Sequence, residues 1–114
     1  MKLPAEAELL RIFIGENDRH EGRPLYEVIV EEARRRGLAG ATVLRGTLGF
    51  GAHSRLHTAK ILRLSEDLPM VVEIVDVPEK IESFLPLLED LIEEGLVTLE
   101  TVRVIAYRHN KGAG

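Results

Sequence analysis

The sequence has no cysteine and no tryptophan, and only two tyrosines and three phenylalanines in 114 residues. Without thiols there is no disulfide scaffold, no thiolate metal site and no cysteine nucleophile. No apolar run approaches the ~20 residues of a membrane span, and the opening Met1 to Glu8 segment lacks the apolar stretch of a signal peptide. Internal repeats and low-complexity tracts are also missing. These absences predict a cytoplasmic protein that is not itself embedded in a membrane. Aliphatic residues are abundant, with 17 Leu, 10 Val and 8 Ile, which excludes intrinsic disorder. The length suits one domain and is short for two, so residues 1–114 are read as a single domain.

A second absence is local. From Ala33 to Ser65 there is no Asp or Glu, while the same stretch carries Arg34, Arg35, Arg36, Arg45, Arg55, Lys60 and Arg63, with His53 and His57. The whole chain is −4, which argues against a dedicated nucleic-acid binder. A strongly basic stretch inside an acidic chain points to one face built to meet an anion. The plainer alternative is that these arginines pair with glutamates of neighbouring elements or subunits.

Residues 8–14 alternate as a half-buried strand ended by Gly15. A polar loop follows through Arg23, and Pro24 suits the first turn of a helix. Leu25, Val28, Ile29 and Ala33 recur at helical spacing, with Gly37 as the C′ residue after three arginines that suit a helix C-terminus. Residues 41–47 read as a second strand and 48–58 as a glycine-punctuated loop whose extended leg covers 59–64. Residues 68–75, nearly all apolar, read as a central strand. Asp76 and Glu79 have capping-box spacing ahead of a helix with Ile81, Leu85, Leu88 and Ile92 on its buried stripe. Pro86 is placed to kink that helix or displace its start, and Gly95 closes it. A last strand is predicted over 99–107 and a frayed tail over 108–114.

This order, βαββαβ, predicts an α+β fold of the ferredoxin-like type: a four-stranded antiparallel sheet with two helices on one face. The topology brings the loops 15–23, 48–67 and 95–98 to one end of the domain, where function is sought. There, Gly46, Gly49 and Gly51 allow close backbone approach to a ligand, though the same spacing serves a sharp turn equally well. Arg45, Arg55 and Lys60 favour a phosphate-bearing ligand. His53 and His57, four apart, would share one face of a helical turn and so could hold a metal or an anion. Ser54 with His53, His57 and Glu16 or Asp18 can be drawn as a triad, but nothing in the sequence holds it rigid, and the chain is read as a non-enzyme.

The residues also carry a family likeness. Gly37-Leu-Ala-Gly-Ala-Thr-Val43, Gly49-Phe-Gly51 opening a long loop, and Leu68-Pro-Met-Val-Val-Glu-Ile-Val75 resemble the pattern of PII signalling proteins. The run from Ile14 to Tyr26, with Thr42 to Gly46 and His57 to Ser65, resembles an uncharacterised PII-like family more closely. The resemblance covers roughly residues 8–107. It implies a homotrimer whose intersubunit clefts bind adenine nucleotides, with loop 48–67 as the T-loop that contacts a target protein, often a membrane transporter. It places Thr42, Gly49, Phe50 and Gly51 at the nucleotide. The chain departs from PII before its last strand, where residues 94–100 hold one glycine and no lysine, and no clear match exists for the C-terminal arginines of PII. AMP or ADP is therefore the expected ligand rather than ATP, with no further cofactor required.

Together these readings assign Gly49 to Gly51 as backbone donors, Arg45 and Arg55 as phosphate ligands, His53 as a further contact, and Arg19 and His20 as the closure from the first loop. The alternatives are a metal- or anion-responsive trimeric module using His53 and His57, and a purely structural adaptor.

Overall fold

In the computed structural model, residues 6–49, 57–58 and 67–108 are described. The chain runs β1 (Glu6–Gly15), β2 (Arg19–His20), β3 (Arg23–Pro24), α1 (Leu25–Arg35), β4 (Thr42–Arg45), β5 (Leu48–Gly49), β6 (His57–Thr58), β7 (Pro69–Asp76), α2 (Pro78–Leu91) and β8 (Leu96–Arg103). The main sheet has the order β4-β7-β1-β8, and each neighbouring pair is antiparallel. This is the predicted ferredoxin-like sheet.

Alternation along β1 and β7 decides which face is covered. Leu10, Ile12 and Ile14 of β1 and Met70, Val72 and Ile74 of β7 are buried against Leu25, Ile29 and Ala33 of α1 and Ile81, Phe84, Leu88 and Leu91 of α2. The helices therefore meet the sheet along stripes at helical spacing. α1 ends as Gly37 predicts. Gly37 has φ +79, its N–H donates to Arg34 O at 3.1 Å, and Leu38 N–H donates to Ala33 O at 3.1 Å. Both hydrogen bonds of a Schellman ending are present.

Other boundaries differ from the sequence expectation. Pro24 is the N-cap of α1, one residue before the helix, because it also closes the hairpin in which Arg19 pairs with Pro24 and His20 with Arg23. The turn of that hairpin is Glu21 (φ 50) and Gly22 (φ 81), positive at both central positions as a two-residue hairpin turn requires. Asp76 is not a helix cap. It is the last residue of β7, fully buried, and its carboxylate accepts from Ala39 N–H at 2.8 Å and Val77 N–H at 2.7 Å. Val77 is the N-cap of α2, and Pro78 starts the helix without needing an N–H. The capping-box spacing was thus a coincidence with a carboxylate that joins the exit of α1 to the entry of α2.

The buried stripe of α2 runs through Phe84 and Leu91, while Leu85 and Ile92 are only partly buried. Pro86 lies inside the helix without ending it; its ring points to an exposed position, and the lost bond is that to the Glu82 carbonyl. The helix stops at Leu91 rather than at Gly95. Gly95 instead lies where a Cβ would come within 2.8 Å of Phe13 O. The last strand is shifted to 96–103 from the predicted 99–107, so residues 96–98, read from sequence as part of a loop, belong to β8. The extended leg 59–64 and the end of the tail, 109–114, lie outside the described residues.

Candidate functional site

The loop convergence predicted from topology is present, and one short turn creates it. β1 ends at Gly15, opposite Pro69 at the start of β7. Glu16 N–H donates to Leu68 O at 2.7 Å, and Asn17 N–H donates to Asp67 Oδ1 at 2.7 Å. Asp18 Oδ2 accepts from Gly15 N–H at 3.0 Å and closes the turn. Gly15 leaves room for the Asp67 carboxylate: a Cβ would fall 2.5 Å from Asp67 Oδ2 and displace it. Residues 15–18 therefore hold the exit of loop 48–67.

The same turn holds the entrance. Arg45, last residue of β4, donates from Nη2 to Glu16 Oε1 at 3.1 Å. Gly46 N–H donates to Pro69 O at 2.7 Å, so this donor is already used. A Cβ on Gly46 would stand 2.6 Å from Pro69 Cγ, and one on Gly49 would stand 2.9 Å from the same atom. Two of the three glycines in the Gly46-x-x-Gly49-x-Gly51 spacing thus serve close packing on Pro69. Beyond them Leu48 pairs with Thr58 and Gly49 with His57, a ladder that narrows the root of the loop. His57 lies in this strand and not on a helical turn, so the helical spacing proposed for a His53–His57 pair is not met at His57.

The charge at this pole is mixed. Asp18, Asp67 and Glu94 approach one another, and burial, followed by repulsion from Asp67 and Glu94, raises the Asp18 carboxyl above its ordinary value of 3.8 against the opposing hydrogen bond from Gly15. Arg45 and the neighbouring hairpin supply the cations. Arg19 is exposed and His20 half-exposed on that hairpin, with His20 Nε2 4.0 Å from Glu21 Oε2. Arg23, on the returning strand, is committed to Glu31 through Nη1 and Nη2, which raises the Arg23 value and lowers that of Glu31.

Thr42 and Arg45 are three residues apart on β4, about 10 Å along a strand, and face opposite sides of the sheet. Thr42 lies on the uncovered face opposite Glu73. Of the sequence-assigned site residues, Arg45 and Gly49 therefore sit at the loop root, Arg19 and His20 on the adjoining hairpin, and Thr42 farther along β4. Phe50, Gly51, His53 and Arg55 lie outside the described residues. Sequence reading missed the part played by Glu16 and Asp67. The available signal was Gly15, a glycine at a strand end followed by a turn-forming Asn-Asp pair, but its distant partner Asp67 had no local mark.

The face of the sheet away from the helices is open. A row of four apolar residues crosses it: Leu44, Val71, Phe13 and Leu96. Leu44 is 50% and Leu96 57% exposed. The next row is polar, and in it Arg11 donates from Nε to Glu73 Oε2 at 2.8 Å and from Nη1 to Glu100 Oε1 at 2.6 Å.

A four-stranded antiparallel sheet with two helices on one face is a ferredoxin-like fold, and solved PII-like proteins share it. CPII, a nitrogen regulatory PII-like protein from Thiomonas intermedia K12 solved with ADP, AMP and bicarbonate, superposes with a TM-score of 0.59 at 21% identity, covering 87% of this chain and 88% of that one. A PII-like signalling protein of Thermus thermophilus superposes with a TM-score of 0.65 at 20% identity, covering 89% and 91%. At these identities the likeness establishes the fold. Residues 7–104 match the model of the DUF190 family, described as an uncharacterized ACR family, and the chain belongs to that family. A UPF0166 protein of Aquifex aeolicus is 45% identical over 98 residues, 86% of this chain and 92% of the relative. A UPF0166 protein of Methanocaldococcus jannaschii is 36% identical over 100 residues, 87% and 92% respectively. No helix among the described residues is long and apolar enough to cross a membrane.

Proposed function

We propose that this protein is a non-enzymatic PII-like regulator that binds an adenine nucleotide, ADP or AMP, and reports its occupancy through loop 48–67 to a target protein. The observation that carries this reading is the pinning of both ends of that loop by the Gly15–Asp18 turn, with Arg45 at the junction. A ligand that engages Arg45 acts directly on the loop root. CPII, which shares the fold, is described with bound ADP and AMP, and that chemistry suits a guanidinium aimed at phosphate. Arg55 is the second phosphate ligand. Thr42, Gly49, Phe50, Gly51 and His53 line the nucleotide, and Arg19 and His20 close over it from the hairpin.

The site is shared between subunits of a homotrimer. Thr42 lies on the open face and Arg45 leaves the opposite face of the edge strand β4, too differently oriented for one compact pocket within the protomer, whereas a neighbour laid over the open face and across the β4 edge reaches both. The apolar row from Leu44 to Leu96 is the surface that such a neighbour covers. The target is a protein partner, with a membrane transporter as the leading class, and the setting is the cytoplasm.

A thermal-shift screen with AMP, ADP, ATP and GDP tests the reading. A ligand that binds only the folded form at 100 times its Kd stabilises by about 2.7 kcal/mol. ADP or AMP is expected to give such a shift and GDP none. A flat response to every adenine nucleotide would overturn the proposal.

A further inference from the structure

Arg45 is already occupied by an oxyanion of the protein itself. Its guanidinium meets the Glu16 carboxylate at 3.1 Å, and Glu16 is the more enclosed partner, with 25% of its side chain exposed against 59% for Arg45. A carboxylate presents oxygens to the arginine fork much as a phosphate does, and a guanidinium recognises either through the same N–H groups. The two ends of the loop are also held by different kinds of bond. The exit is tied by the backbone N–H groups of Glu16 and Asn17 to Leu68 and Asp67. The entrance has a side-chain ion pair between Arg45 and Glu16, in addition to the Gly46 N–H bond to Pro69. Of the two bonds at the entrance, the ion pair is the one that can be exchanged without breaking a backbone–backbone hydrogen bond.

We infer that Glu16 is a built-in stand-in for the ligand's phosphate: it occupies Arg45 while the cleft is empty and is displaced when a phosphate takes the guanidinium. Displacement frees the Arg45 side chain from the Gly15–Asp18 turn while the exit stays tied, so the loop root has two states that follow occupancy. The inference rests on the phosphate reading above and deepens it. It also carries a thermodynamic consequence. A ligand that takes the Nη2 donors of Arg45 breaks the pair in order to bind, so the Glu16 carboxylate raises the concentration at which the protein responds.

Isothermal titration of the wild type, Glu16→Gln, Arg45→Ala and the double variant, each with ADP and with inorganic pyrophosphate, tests it. Glu16→Gln is expected to tighten ADP binding about threefold, equivalent to about 0.65 kcal/mol and within the range of a half-exposed ion pair. Arg45→Ala is expected to weaken binding about tenfold or more. In the Arg45→Ala background, Glu16→Gln is expected to change nothing, because no guanidinium remains to compete for. An unchanged or weaker affinity in Glu16→Gln would overturn the inference while leaving ADP binding intact. The same would follow from equal tightening with and without Arg45, since Glu16 would then act only through its charge. If pyrophosphate binds with the Glu16 effect and ADP does not bind, the inference stands and the adenine reading falls. If neither binds the wild type, both are overturned.

Discussion

The two faces of the central sheet are made by the same strands and have opposite fates. Towards the helices, Leu10, Ile12, Val72 and Ile74 are essentially inaccessible beneath Ile29, Ile81 and Phe84. On the other side, their neighbours in sequence form the Leu44–Val71–Phe13–Leu96 row and the Arg11–Glu73–Glu100 ion cluster, and much of this face remains exposed. The first face is completed within the chain. The second carries an exposed apolar row beside the polar Arg11 cluster, the surface that the proposed neighbour would cover. Removing atoms from one face should therefore cost folding stability, and altering the other should cost association.

The largest effect is expected for Phe84→Ala. Phe84 is 1% exposed, and emptying such a site in a closed core removes about 3–5 kcal/mol of stability in denaturant unfolding. Asp76→Ala should follow, at about 2 kcal/mol, because two part-buried backbone N–H groups lose their acceptor. Glu8 stands opposite Asp76 in the strand pairing, but relief of like charge across a pair amounts to well under the loss of two such bonds. Leu96→Glu should leave the protomer's own fold unchanged to within about 0.5 kcal/mol and abolish the proposed trimer in sedimentation velocity. A trimer unaffected by that charge would place the interface elsewhere.

The smallest effect concerns pH and lies at the loop pole, away from both faces. Asp18 titrates above its ordinary value in the folded protein, so the folded state holds a proton that the unfolded chain has already lost. Its contribution is favourable below about 3.8 and is lost as pH rises through the raised value. Glu31 has the opposite sign: paired with Arg23, its carboxyl is lowered from 4.5, and its contribution is present above 4.5 and lost as pH falls. Asp18→Asn should therefore match the wild type in melting temperature at acid pH and gain on it as pH rises towards 7, whereas Glu31→Gln should lose ground over the same range.

The contrast between the faces also explains what the sequence made legible. Elements with one buried and one open side, such as β1 and α1, declare themselves through periodicity, β7 through its nearly unbroken apolar run, and Gly37 announced the end of α1. β8 is exposed along nearly its whole length, so burial imposed no alternation on it and its boundaries could not be read. The start of α2 was misassigned because Asp76 and Glu79 mimic a cap, although Pro78 was the stronger mark. At the loop pole the topology and the basic stretch indicated where to look, and Arg45 falls there. Glu16 and Asp67 act across 29 and 50 residues respectively, and tertiary pairs of that kind leave no trace in local spacing.

The close packing of Gly46 and Gly49 against the ring of Pro69 has a practical consequence. It seats the root of the loop on the domain through backbone and a rigid ring, independently of the residues beyond the root. Loop-closure entropy grows slowly with length, by about 0.6 kcal/mol per doubling. The domain is thus a socket, into which segments of foreign sequence and different length can be grafted between Gly49 and His57 while the sheet and helices keep their own stability.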